Sequence, residues 1–488
     1  MIKKILDKYN NFSTTVKASF WFLICGFIQR GISVITIPVF SRLLSTGEYG
    51  DFNVYQTWYN IVIIFASLNL ASGVYMRGLV KYEEDKDRFT GSLQCLYILT
   101  TTICFGIYLL FQPQWNAFLG LDSSFVYVMF VDILMATAYH FWSTEQRVDY
   151  KYRKLVLVTV LNAVLRPALG VFAIYLFPEH RLEARVFSMV LVDVLTFGVF
   201  FFGIFRKGAR VFTTQYWKYA LAFNLPLVPH YLSQIVLNQS DRVMIKSLQG
   251  SDAAGIYSLA YSVASLMTIL NTSVINTFTP WMYKKMKVKE YKQIGTNSVP
   301  ILILMAFANF VLVALAPEIV SIMAPESYYD AIWVIPPVAA STYFIFMYSL
   351  FSRFEFYFER TKFMMVASVL GACANIVLNY IFIPKYGYYA AGYTTLFCYI
   401  LYCVGHYLLM RRINKKQMDN VKVFDMRWIL GITFTFIILC AITMIFYKHM
   451  IIRFVLFGII GIIFFLKRNK FINLLKMIKA EKKKKKEE

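Results

Sequence analysis

The chain has 488 residues, 58% hydrophobic and 18% aromatic, with a formal net charge of +23. Soluble domains are about half apolar, so this composition describes a polytopic membrane protein. Helices are expected, because isolated strands leave their backbone groups unpaired in lipid. The positive charge lies in loops between apolar runs, which argues against nucleic acid as a partner. No loop is long enough to hold a soluble ATPase or hydrolase domain, and GxxxxGK[ST], HExxH and GxSxG are absent from the sequence.

Fourteen apolar runs are expected as spans, at about 16–44, 52–76, 89–111, 123–143, 155–177, 186–205, 219–246, 254–282, 294–316, 331–352, 363–383, 388–410, 428–447 and 451–466. Most reach the roughly 20 residues that a bilayer core requires at about 1.5 Å per residue. The first run is too long for the apolar centre of a cleavable signal and has no small-x-small exit site, so it is expected to stay as the first span. It carries Gln29-Arg30 near its middle. An arginine at that depth costs roughly 2.5–3.5 kcal/mol on insertion scales. Arg30 is expected either to face a solvated cavity or to join a structural ion pair.

Further along, Asp132 in span four and Asp193 in span six are the acids deep in the first half. Arg166, followed by Pro167, lies near the middle of span five. Two roles are open to the acids. They are static counter-ions for Arg30 or Arg166, or they couple transport to a proton or sodium gradient, since buried carboxylates suit either cation. His140, His230 and His406 are weaker proton candidates. Span seven carries Asn224, Pro226, Pro229, His230, Gln234, Asn238 and Asp241. Two prolines in one turn and a polar face predict a bent helix, with Pro226, Pro229 and Asn238 as candidate hinge and cavity residues. A kinked structural helix with its polar face inside a lobe is the alternative. The tryptophans fall mostly near span ends, as an interfacial belt first and sugar platforms second. The seven cysteines lie in apolar stretches without CxxC or CxxH spacing. They are expected as packing residues, with no metal site and no disulfide framework.

Forty of the 50 lysines and arginines fall in the N-terminal tail and every second loop, and eight fall in the other loops. Cytoplasmic segments hold the excess, so both termini are expected inside. The basic tail 467–488 is expected as a solvated end, or as a contact for anionic headgroups.

An internal repeat is visible. Glu48-Tyr49-Gly50-Asp51-Phe52 follows the first span, and Ala253-Ala254-Gly255-Ile256-Tyr257 follows the seventh. Arg147 and Asn162 align with Arg360 and Asn375 at one common offset. The expected fold is all-α, with two six-helix lobes, 1–205 and 206–410, related by a pseudo-two-fold. Two appended spans occupy 411–466. Transporters commonly place the substrate between such repeats.

Four stretches resemble the polysaccharide flippases, the Wzx-type branch of the multidrug/oligosaccharidyl-lipid/polysaccharide exporter superfamily. They are Pro38-Val39-Phe40-Ser41-Arg42-Leu43-Leu44-Ser45-Thr46-Gly47-Glu48-Tyr49-Gly50; Ser240-Asp241-Arg242 with Ala254-Gly255-Ile256-Tyr257-Ser258-Leu259-Ala260-Tyr261; Glu326-Ser327-Tyr328-Tyr329-Asp330-Ala331; and Thr361-Lys362 through Asn375, Asn379, Ile383-Pro384-Lys385-Tyr386-Gly387 and Ala390-Ala391-Gly392. The sequence departs from the family after Lys385, where a second glycine more often precedes the Ala-Ala pair.

The resemblance implies a V-shaped pair of lobes around a central cavity in a bacterial cytoplasmic membrane. It implies that undecaprenyl-pyrophosphate-linked oligosaccharide units are flipped by alternating access, with membrane lipids and a polysaccharide polymerase as partners. A pyrophosphate crossing a low-dielectric core needs fixed positive charge, and arginine suits it through its planar donor fork. On that reading Arg30 and Arg166 are the substrate ligands; pairing with Asp132 or Asp193 is the alternative for each. No cofactor is expected beyond a coupling ion. A cation-coupled drug or metabolite exporter of the same superfamily, and a membrane-embedded glycosyltransferase or ligase, are the competing functions.

Overall fold

A computed structural model describes residues 13–208 and 212–466, apart from the side chains of 361–365 and 463–466. Its regular structure is helical throughout these residues. In chain order the helices are α1 (Thr14–Leu43), α2 (Thr46–Ser67), α3 (Val74–Lys81), α4 (Lys86–Leu110), α5 (Gln112–Leu119), α6 (Ser123–Val148), α7 (Tyr152–Leu176), α8 (Arg181–Lys207), α9 (Thr214–Asn224) and α10 (Val228–Gln249). They continue as α11 (Ser251–Lys287), α12 (Tyr291–Ala314), α13 (Ala316–Met323), α14 (Ile335–Tyr357), α15 (Thr361–Tyr386), α16 (Tyr389–Gln417), α17 (Met426–Ile445) and α18 (Met450–Leu466).

Twelve helical stretches among the described residues are long and apolar enough to cross a membrane. The two other expected spans are also helical: α2, which carries many polar side chains, and α18, which has only 17 residues. The chain is a multi-pass membrane protein. The basic tail lies outside the described residues.

The chain divides into two compact units, Met1–Gly255 and Ile256–Glu488. In the first, local sequence sets the helix ends. Ser45 accepts from the Glu48 amide while the Glu48 carboxylate accepts from the Ser45 amide, a reciprocal cap that starts α2 immediately after α1. Gly120, with φ 61°, ends α5 in the left-handed conformation that glycine adopts without strain. An aromatic core forms around Tyr75, Phe89, Tyr97 and Phe141. Phe89 fits there because a Cβ on Gly78 would lie only 2.1 Å from its ring.

Span seven changes to a tighter turn at its first proline. The turn Leu225–Leu227, with Pro226 in its middle, separates α9 from α10, and Pro229 takes the first turn of α10, where its missing N–H costs no helical bond. The turn is tied down from α9. The Asn224 side chain donates to the carbonyls of Leu68 and Asn69, both at 2.8 Å, where α2 ends in two left-handed residues. Asn238 donates to the Gln234 carbonyl at 2.6 Å within α10.

In the second unit α14 is the central helix, buried along most of its length and packed against α12 and α16. The appended helices α17 and α18 are joined to this unit by polar contacts. The Tyr447 hydroxyl donates to the Val313 carbonyl at 2.9 Å, and Arg453 donates to the Ala314 carbonyl at 2.8 Å. These carbonyls belong to the last turn of α12, where intrahelical partners run out.

Candidate functional site

The first unit holds a charged cluster built from three spans. On α7, Asn162 and Arg166 are one turn apart and so share a face. Asp193 comes from the middle of α8 and Asp132 from the middle of α6. Arg166 Nε donates to Asp193 Oδ1 at 2.7 Å, and its Nη2 donates to the other carboxylate oxygen. This is a two-point fork, the strong form of an arginine–carboxylate contact. Asn162 Nδ2 also donates to Asp193 Oδ1, at 2.9 Å, and to Thr196 Oγ1 at 3.1 Å. Asp193 is therefore fully buried with its charge paired and its oxygens occupied.

Asp132 differs. It is 1% exposed, and its nearest cation is Arg166 Nη2 at 4.0 Å. Among the described residues it accepts no hydrogen bond, and its Oδ1 is buried without a partner. Tyr55, on α2, is likewise buried with an unpartnered hydroxyl. The cluster thus holds one satisfied and one unsatisfied carboxylate around a single guanidinium.

Arg166 is not sealed in. Its side chain is 32% exposed, and its Nη1 has no protein partner among the described residues. Beneath it lies a second buried cation, which sequence reasoning missed. Arg185 Nη1 donates to the Arg166 carbonyl at 3.2 Å, and the Arg185 guanidinium lies 3.8 Å from the Phe40 ring centroid. The α7 backbone makes room for it at Gly170, where a Cβ would come within 2.5 Å of Arg185 Nη1. Arg185 sits at the start of a span and reads in sequence as a loop cation, so only the fold reveals its burial.

Arg30 is exposed on α1 and forms no ion pair among the described residues. The two neighbouring glycines, Gly26 and Gly31, have nothing within 4 Å of a notional Cβ, so this part of α1 is open. Of the two readings for Arg30, the ion pair is absent among the described residues; of those for Arg166, pairing is present.

The repeat gives the cluster a counterpart. At the common offset, Asn162 and Arg166 correspond to Asn375 and Asn379 on α15. Asn375 Nδ2 donates to Thr395 Oγ1 at 3.1 Å, and Thr394 donates to Asn379 Oδ1. The same two repeat positions therefore hold a charged knot in the first unit and an uncharged amide–hydroxyl knot in the second.

Comparison with known proteins fits this architecture. The profile of a family described as polysaccharide biosynthesis protein matches residues 15–287. The Lsg locus putative protein 1 of Haemophilus influenzae is 22% identical over 373 residues, covering 72% of this chain and 88% of that protein. A probable low-salt glycan biosynthesis flippase, Agl15, of Haloferax volcanii is 21% identical over 402 residues, 80% of this chain and 83% of its own length. In fold the chain is similar to the lipid II flippase MurJ in an inward closed conformation, with TM-score 0.70 and 13% identity over 92% of this chain and 99% of that one. It is also similar to an inward-facing multidrug resistance MATE family transporter of the MOP superfamily, with TM-score 0.59 and 12% identity over 81% and 96% of the two chains. These findings point to a transporter and not to an enzyme. With more than half of its length matched, the chain belongs to the polysaccharide biosynthesis protein family and has the fold of the MOP-superfamily transporters.

Proposed function

We propose that the protein flips lipid-linked oligosaccharide repeat units, carried on undecaprenyl pyrophosphate, across the bacterial cytoplasmic membrane for surface polysaccharide biosynthesis. It does so by alternating access, with both termini cytoplasmic and a polysaccharide polymerase as its downstream partner. The observation that carries this reading is Arg166: a guanidinium at mid-span, anchored on one edge by Asp193, with its Nη1 left for an anion. Arg30, exposed and unpaired at mid-helix, supplies a second positive charge of the same kind. The flippase name of the Haloferax relative supports the same class of cargo.

Asp132 supports coupling to a proton or sodium gradient, because an unsatisfied buried carboxylate gains most from taking up a cation. A cation-coupled exporter of drugs or metabolites uses the same acid, and it has no need of Arg30. The test is complementation of a bacterial strain lacking its own repeat-unit flippase. The wild-type chain restores surface polysaccharide, and Arg30→Ala, present in the membrane at the same level, does not. Export by Arg30→Ala at the wild-type rate would overturn the proposal.

A further inference from the structure

A second basic site lies in the other unit, away from the charged cluster. A cleft of about 210 Å³ is lined by Arg360, Leu409, Arg412, Ile413, Lys416 and Gln417. That is far more than the roughly 15 Å³ one water occupies. Five of these residues come from a single face of α16, at spacings of three and four, and Arg360 meets them from the residue before α15.

Among the described residues no acid balances the charges in the cleft. Its lining includes no acid, and Arg360, Arg412 and Lys416 form no ion pair among the described residues. Arg412 and Lys416 are one helical turn apart, where like charges repel. The end of α16 compensates Lys416, since a helix C-terminus attracts cations. It does not account for Arg360, which stands at the N-terminal end of α15, where the helix dipole disfavours a cation and where its own side chain makes no capping hydrogen bond. Three cations that repel one another share one cleft, one of them beside a helix N-terminus. An anion bound there satisfies all three.

The surroundings favour a lipid as its source. Leu401, Val404 and Leu408 form an exposed apolar stripe on α16 that runs at helical spacing into Arg412 and Lys416. On α15, Val366 and Leu370 are exposed within three turns of Arg360. An acyl chain lying along these stripes places a phosphate at the cations. We propose that this cleft binds the phosphate of an anionic phospholipid headgroup. The site is independent of the transported cargo, so it stands or falls apart from the flippase assignment.

The test uses the full chain in nanodiscs made either of phosphatidylcholine alone or with 30 mol% phosphatidylglycerol, with retained lipid read by native mass spectrometry after transfer to detergent. Wild type is expected to retain phosphatidylglycerol preferentially, and R360Q/R412Q/K416Q to lose that preference by roughly tenfold or more, given what each cation contributes near an anionic surface. The control R153Q/K154Q, which removes basic charge elsewhere, keeps it. Equal retention by the triple variant, or equal loss in the control, overturns the proposal, because the attraction is then diffuse. Displacement of the lipid by millimolar inorganic phosphate also overturns it, by assigning the cleft to a free anion. The triple variant's elution profile matching wild type shows that it has folded.

Discussion

Gly50 and Gly255 are held backbone against backbone. A Cβ on Gly50 would lie 2.7 Å from the Gly255 nitrogen and 2.1 Å from the Ser251 carbonyl oxygen, and a Cβ on Gly255 would lie 2.1 Å from the Thr46 carbonyl oxygen. Each glycine therefore meets the helix residue four places before the other. These are the glycines of the two repeat motifs read in the sequence. Neither has a positive φ, so the requirement is space and not conformational freedom. Gly50→Ala and Gly255→Ala are each expected to cost about 1–3 kcal/mol, the range for overpacking, because backbone must move. Gly106→Ala is the contrast: nothing lies within 4 Å of its Cβ position. It is expected to be neutral or to gain up to about 1 kcal/mol in helix propensity. Thermal unfolding of the purified protein in detergent checks all three, and an unchanged midpoint for Gly255→Ala contradicts the close approach.

Arg453 and Glu318 fix the last helix. The two side chains meet at two points, 2.6 and 2.9 Å apart, and Arg453 is only 4% exposed. Glu318→Gln leaves a buried guanidinium with one weaker acceptor. It is expected to cost about 3 kcal/mol, less than the full penalty for a broken buried pair because the Ala314 carbonyl remains bound. The loss should appear as release of α18 with α12 intact. A cysteine introduced at the half-buried Leu456 should react faster with a membrane-permeant thiol reagent in Glu318→Gln than in the parent, and equal rates would show that the pair does not hold the helix.

Much of this architecture was legible in the residues. Apolar run length gave the spans because a bilayer imposes one length on every crossing. Two spans fell short of that criterion for opposite reasons: α2 is long enough but carries Glu48, Asp51, Asn53, Gln56 and Asn60, and α18 is apolar but short. Pro226 marked the tighter turn Leu225–Leu227, since proline cannot donate a helical hydrogen bond. The pairing of Arg166 was legible only as a choice between two acids. Which acid would be the satisfied one was not legible, because nothing in the sequence says whether the face shared by Asn162 and Arg166 meets α6 or α8. The burial of Arg185 was not legible, because nothing local marks Gly170 as the opening that admits it. The cleft at Arg360 was equally hidden: Arg360 precedes Arg412 by 52 residues in sequence, and all three cations read simply as cytoplasmic charge.

Acid should loosen one end of the first unit at a definite pH. Asp149, just past α6, accepts from Lys151 at 2.7 Å and from Lys86 at 3.0 Å. Burial raises its carboxyl pKa, but the hydrogen bonds from these two lysines outweigh that and hold it below the ordinary aspartate value. A depressed carboxyl stabilises the fold above its unfolded pKa, near 3.9, and that contribution disappears as pH falls through the lower folded value. Asp149→Asn should therefore melt below wild type by a constant margin from pH 5 to 8, about 0.2–1 kcal/mol for a largely surface pair. The margin should close below about pH 4. A margin that persists at pH 3 would mean that the asparagine acts through packing and not through charge.

The Arg166–Asp193 fork separates stability from transport. Asp193→Asn leaves a partly buried guanidinium facing an amide and should cost about 3 kcal/mol, the low end for a broken buried pair because Arg166 is a third exposed. Arg166→Met with Asp193→Leu removes both charges and should recover most of that loss, since apolar replacements of a buried pair are often neutral. Recovery stays incomplete because Asp132 then loses its nearest cation among the described residues, and adding Asp132→Asn should complete it. Export should not follow stability. If Arg166 meets the cargo's phosphate, the stable triple variant complements no better than an empty vector, whereas restored export alongside restored stability would make the whole cluster a structural element.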